Sequence, residues 1–166
     1  MLDALTISNH RADLSSQHDF PNVDPAIMLQ EYSVNALGPL SVYNATVDLM
    51  SRSSKKTFAI ISSQAASSAH MHIPFRNDGY AASKAAANAI GLRLHNARPD
   101  IHVLLLHPGL VETEMASSAV SPEQMKEFGA ISTQQSADLI GNTIEAATAK
   151  DAGRFIDVTT GQDLPF

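Results

Sequence analysis

The chain has 166 residues, 44% of them apolar and 17% charged, which is enough apolar material for one buried core and too much for a disordered segment. A formal charge of −6 with 11 scattered Lys and Arg excludes a nucleic-acid surface, and the lack of Cys excludes disulfides and thiolate chemistry. No apolar run reaches the roughly eighteen residues of a membrane span, and Met1-Leu2-Asp3 does not open a signal peptide, so a soluble, cytoplasmic single domain over residues 1–166 without membrane contact is expected.

In chain order, residues 2–8 read as a strand and a polar loop runs through Asp24. A helix over 25–51 follows, with Asp24 as N-cap and Pro25 in its first turn. The apolar run Phe58 to Ile61 predicts a buried strand over 57–62, and the pattern then gives a loop and a helix over 79–97 rich in Ala. Ile101-His102-Val103-Leu104-Leu105-Leu106 predicts a second buried strand, ended by the turn at Pro108-Gly109. A mobile loop through Val120, helices over 122–128 and 134–149 and a strand over 154–158 complete the pattern. Ser121-Pro122-Glu123 reads as a cap with proline in the next position. Strands alternating with helices predict an α/β fold whose parallel strands are joined by right-handed crossovers.

The chemistry-bearing stretch is Tyr80-Ala-Ala-Ser-Lys84. Four residues along a helix put the phenol and the ammonium on one face. A tyrosine holds its proton to about pH 10, and a nearby cation favours the phenolate, so the pair can exchange a proton with a carbonyl or alcohol oxygen. The same spacing also fits a half-buried Tyr beside a solvated Lys. Ser62 and Ser63 stand at the C-terminal end of the first buried strand, where ligands bind in open parallel sheets, and Asn35 sets an amide inside a helical pattern. His70 and His72 have a chelating spacing but lack further ligands for a structural metal site. His107 reads as a hydrogen-bonded core histidine, and Glu112 and Glu114 as solvated carboxylates or, alternatively, as a pair acting as general acid and base.

Asn35, Ser63, Tyr80, Lys84 and Pro108-Gly109-x-Val111-x-Thr113, in this order, resemble the short-chain dehydrogenase/reductase family. The likeness runs from Leu2-Asp3-Ala4-Leu5, similar to the family's fourth strand, to Gly161-Gln162-Asp163-Leu164-Pro165-Phe166, similar to the ending of fungal ketoreductase-like members, including those of secondary metabolism. It implies a partial Rossmann-like, doubly wound parallel sheet lacking the first three strands. It also implies catalytic roles for Tyr80 (proton donor or acceptor), Lys84 (lowering the Tyr pKa and contacting the nicotinamide ribose), Ser63 (steadying the substrate oxygen) and Asn35 (a water-linked relay). Val111 and Thr113 are implied carboxamide contacts, and Asn9 stands in for one asparagine of the family's N-N-A-G turn. The activity implied is NADP(H)-linked reduction of a ketone or oxidation of a secondary alcohol.

The chain departs from the family in three places. The eight glycines, at positions 38, 79, 91, 109, 129, 141, 153 and 161, cannot assemble the T-G-x-x-x-G-x-G turn that cradles dinucleotide phosphates, so the pattern resembles an N-terminally truncated member with weak or absent NADP binding. The segment after the first strand reads Ile7-Ser8-Asn9-His10-Arg11-Ala12, without the glycine. Between Ser63 and Tyr80 lies a longer interval than the family's, with an inserted loop at His70 to Asp78. Two further readings follow from these departures: a cofactor-free dehydratase, isomerase or cyclase using Tyr80 and Lys84, and a non-catalytic interaction module. Strand 2–8 would present an unpaired apolar edge, which predicts a homo-oligomer or association with a full-length homologue.

Overall fold

The computed structural model describes residues 20–70 and 78–166, so strand 2–8, Asn9 and His72 of the inserted loop lie outside the described residues. Helix α1 (Pro25–Tyr32) starts where expected, because the Asp24 carboxylate accepts the Ala26 N–H and Pro25 needs no donor partner in the first turn. The helix expected over 25–51 is not one helix. A π turn at Ser33–Leu37 separates α1 from α2 (Gly38–Ser51), with the Gly38 N–H bonded to the Ser33 carbonyl five residues back. Pro39 supplies the reason: it has no N–H for the carbonyl of Asn35, and its ring crowds that carbonyl, so the chain widens by one residue.

Strands β1 (Thr57–Ile61), β2 (His102–His107) and β3 (Phe155–Asp157) form a parallel sheet in the order β1-β2-β3, with Thr57 opposite His102 and Leu105 opposite Phe155. β2 is apolar without interruption because helices cover both of its faces. Val103 and Leu105 join Ile60, Phe155, Ala36, Tyr43 and Ala87 beneath α2 and α3 (Asp78–Ala97), whereas Leu104 and Leu106 join Ile156 and Val158 beneath α6 (Thr133–Ala146) through Leu139, Ile140 and Ile144. Each fully buried aliphatic side chain of β2 contributes roughly 1.5–3 kcal/mol. Helix α3 lies close on the sheet at Gly91, where a Cβ would come within 2.5 Å of Leu105 and 3.1 Å of Ile60.

After β2 the structure departs from the expected loop. Thr113 caps a short helix, α4 (Glu114–Ala119), by accepting the Ala116 N–H through its hydroxyl. Helix α5 (Pro122–Glu127) follows, opened by a reciprocal Ser121/Gln124 capping box. Helix α6 opens on a second such box, Ser132/Gln135. The tail turns back after β3, where the Leu164 N–H bonds the Phe155 carbonyl and Phe166 packs on Phe155 with ring centroids 5.7 Å apart. Among the described residues no helix is long and apolar enough to cross a membrane, and no cluster of His, Asp and Glu could hold a metal ion.

Candidate active site

The site lies at the C-terminal end of β1, where three elements meet. Ser62 ends the β1–β2 ladder, its N–H bonded to the Leu106 carbonyl at 2.7 Å, and its side chain is buried. Ser63 is then turned the other way and caps a single 3-10 turn, Gln64–Ala66, by accepting the Ala65 N–H at 3.2 Å. The second hydroxyl of the pair, not the first, is therefore the one presented at the strand end. It hydrogen-bonds the Tyr80 phenol, which reaches it from the first turn of α3.

One helical turn on, the Lys84 ammonium lies 5.6 Å from the centroid of the Tyr80 ring and donates to the Ile61 carbonyl at 2.8 Å, bridging α3 to the end of β1. Both groups are substantially buried, and burial dominates their acidity. It lowers Lys84 from the ordinary 10.5 to about 8. The Tyr80 phenol is raised: burial is the largest cause, the Ser63 hydrogen bond opposes it, and the Glu31 carboxylate adds to it. The expectation that the lysine draws the phenol toward neutral pH is thus corrected, because desolvation of the phenolate outweighs the favourable contacts.

Asn35 enters from the π turn, and its amide donates to the Ser83 hydroxyl at 3.0 Å; Ser83 in turn donates to the Tyr80 carbonyl at 2.7 Å. Asn35 is therefore tied to the helical turn that carries Tyr80 and Lys84. Ser83 was not legible as part of the site, although it is the serine of the Tyr80-Ala-Ala-Ser-Lys84 stretch itself.

Beyond β2, Gly109 has a φ of +83°, and a Cβ there would lie 2.6 Å from the Thr159 methyl, so the turn both needs a left-handed residue and packs directly on the segment after β3. Val111 forms a parallel bridge with Ile131, flanked by Glu112 N–H to Ile131 O and Ile131 N–H to Leu110 O, each 2.9 Å. Val111 and Thr113 thus stand on the segment leaving the sheet at the end where Ser63 sits, with the Thr113 hydroxyl engaged in capping α4. A groove of about 490 Å³ opens beside them, lined by Glu112, Ser117, Pro122, Met125, Lys126 and Ala130. His70, the first residue of the inserted stretch, is half-buried.

The sequence model of the short chain dehydrogenase family matches residues 2–124. Short chain dehydrogenase gsfK of Penicillium aethiopicum is 32% identical over 142 residues, covering 80% of this chain and 57% of that protein. The C-signal protein of Myxococcus xanthus is 30% identical over 152 residues, covering 87% of this chain and 82% of that protein. A carbonyl reductase from Pseudomonas aeruginosa PAO1, solved in complex with NADP, superposes with a TM-score of 0.65 at 32% identity over 90% of this chain and 60% of its own. The chain thus spans little more than half the length of the Penicillium and Pseudomonas relatives. With three parallel strands in this order, helices on both faces and a family match over most of its residues, the chain belongs to the short-chain dehydrogenase/reductase family.

Proposed function

We propose that the chain carries the proton-transferring part of an NADP(H)-linked oxidoreductase site that reduces a ketone or oxidises a secondary alcohol. The observation that carries this reading is the hydrogen bond between Ser63 and Tyr80 with the Lys84 ammonium one helical turn away. A substrate oxygen placed against the two hydroxyls would be held by Ser63 and would receive or surrender its proton at the Tyr80 oxygen. Lys84 fixes the end of β1 through Ile61 and sets its cation 5.6 Å from the centroid of the phenol ring. Asn35 steadies the helical turn through Ser83.

The donors at this end of the sheet, an ammonium and a phenol, suit the nicotinamide-ribose portion of a dinucleotide, with Val111 and Thr113 the residues that the family pattern sets against the carboxamide. A bound dinucleotide supplies or accepts the hydride. The described residues offer contacts to that end of the molecule and no glycine-rich phosphate cradle, so weak binding is expected. The relative solved with NADP supports the choice of cofactor. The Gly161 to Phe166 ending supports a substrate from secondary metabolism. The same reading includes residues 1–166 as one domain that associates with a second copy or a longer homologue, which light scattering of the purified chain would detect.

The test is a calorimetric titration with NADPH, followed by NADPH-dependent reduction of a panel of aromatic and aliphatic ketones. Saturable binding with turnover of at least one ketone is expected. No heat and no protection from thermal unfolding at millimolar NADPH would overturn the reading.

A further inference from the structure

His107 closes β2 and is half-buried between the sheet end and the turn at Pro108. Its Nδ1 accepts the backbone N–H of Gln64 at 3.2 Å. Gln64 is the residue directly after Ser63, and the turn it opens is seated by the burial of Ala66 in the core, while its own hydrogen bonds stay local: the Ala65 N–H goes to the Ser63 hydroxyl, the Ala66 N–H to the Ser63 carbonyl and the Ser67 N–H to the Gln64 carbonyl. The imidazole bond is the one that ties its first amide to the neighbouring strand.

We propose that His107 is a positioning residue: its Nδ1, by holding the Gln64 amide, fixes the turn that aims the Ser63 hydroxyl at the Tyr80 phenol. This rests on the reading of Ser63 and Tyr80 as the reacting pair. A part-buried amide that opens a turn needs an acceptor, and loss of that acceptor leaves the donor unsatisfied and the start of the turn, where Ser63 sits, less firmly set. Accepting at Nδ1 requires that the proton of the neutral ring sit on Nε2. Protonating the ring places a second N–H against the Gln64 N–H and converts the hold into a repulsion.

The surroundings favour the neutral form. Burial lowers the His107 pKa, and the Asp157 carboxylate across on β3 opposes this only in part. That carboxylate is itself committed to the Thr159 N–H and hydroxyl, at 2.8 and 2.7 Å. The turn Gln64–Ala66 contributes no titratable side chain, α6 approaches the following residue with the neutral Ser136 hydroxyl, and Tyr80 and Lys84 of α3 are the ionisable groups beyond Ser63. Above the histidine's titration the acceptor is in place; below it the hold is lost, so the Ser63–Tyr80 contact should fail on the acid side.

Two substitutions separate the acceptor from the bulk of the ring. His107→Asn keeps an acceptor one bond beyond Cγ, close to the place of Nδ1, whereas His107→Leu keeps volume without it. Two readouts are taken on each: the titration of Tyr80 by carbon-13 NMR of ring-labelled tyrosine, assigned with Tyr80→Phe, and kcat for ketone reduction with saturating NADPH. Because the Ser63 bond lowers the Tyr80 pKa, His107→Leu is expected to raise it further and to reduce kcat about tenfold at unchanged NADPH affinity. His107→Asn should restore both and should lack the acid limb of the wild-type kcat profile. An unmoved Tyr80 titration in a folded His107→Leu, or nitrogen-15 shifts placing the wild-type ring proton on Nδ1, would overturn the proposal. An inactive wild type whose Tyr80 titration still responds to His107→Leu would instead overturn the oxidoreductase reading and leave the positioning role standing.

Discussion

The turn after β1 and the loop after β2 leave the same end of the same sheet, and they are held in different ways. From Ser62 to Ala66 four amides are fastened: Ser62 to the Leu106 carbonyl, Gln64 to the His107 ring, Ala65 and Ala66 to Ser63. The segment from Leu110 onward is bridged to Ile131 through Val111, and it then runs through two six-residue helices, with Met115 44% and Phe128 60% exposed. The tight turn carries the group proposed to touch the reacting oxygen, and the looser helices border the groove. On the proposed reading chemistry falls to the first and substrate choice to the second, in keeping with a rigid scaffold that presents adaptable loops.

Breaking the tight turn should have the largest effect. Ser63→Ala removes the hydroxyl beside Tyr80 and is expected to lower kcat about a hundredfold, measured by steady-state ketone reduction with NADPH; a variant within a few-fold of wild type would mean that Ser63 does not touch the reacting oxygen. Gly109→Ala strikes the root of the second segment, where the left-handed backbone and the Thr159 methyl both refuse a Cβ. A loss of about 1–3 kcal/mol is expected, read by denaturant unfolding, and an unchanged midpoint would show that this turn relaxes freely.

Lys84 sharpens the comparison through pH. Its value is lowered from 10.5 to about 8, so between those values the unfolded chain holds more protons than the folded one, and stability rises with pH. Below about 8 the full cost of burying the ammonium is present. Wild type should therefore gain on Lys84→Met as pH rises through this window in parallel denaturant titrations; curves that stay a constant distance apart would place Lys84 in solvent. The smallest effect is expected in the looser segment. Ser121→Ala breaks the capping box of α5 and should cost about 1 kcal/mol or less, raising KM several-fold with kcat retained, whereas a matching fall in kcat would link these helices to the chemistry.

Much of this arrangement was legible in the sequence because local chemistry and tertiary structure agree. The three described strands fall within about one residue of the runs that predict them, since β2 is apolar on both faces only if both are covered. Asp24-Pro25 and Ser121-Pro122 cap their helices as read. The 3-10 turns at Gln64–Ala66 and Ser68–His70 stand within the expected loop, α6 stops at Ala146 and not at 149, and two larger features were missed. The π turn at Ser33–Leu37 follows from Pro39, whose effect on the carbonyl four residues back was overridden by an unbroken helical pattern, and α4 is too short for periodicity to reveal. Within the site, the order Ser63, Tyr80, Lys84 was readable, but acidity was not: the pattern suggested a phenol eased toward neutrality, and only burial shows that desolvation raises it. His107 was readable as a hydrogen-bonded histidine, but its partner, an amide 43 positions away in sequence, depends on strand register alone.

Proton transfer is proposed to occur at one oxygen, that of Tyr80. Comparing kcat of wild type and Tyr80→Phe for NADPH-dependent reduction of the same ketone, with NADPH affinity measured for both, tests it directly. A loss of about a thousandfold at preserved NADPH affinity is predicted; equal rates would contradict it.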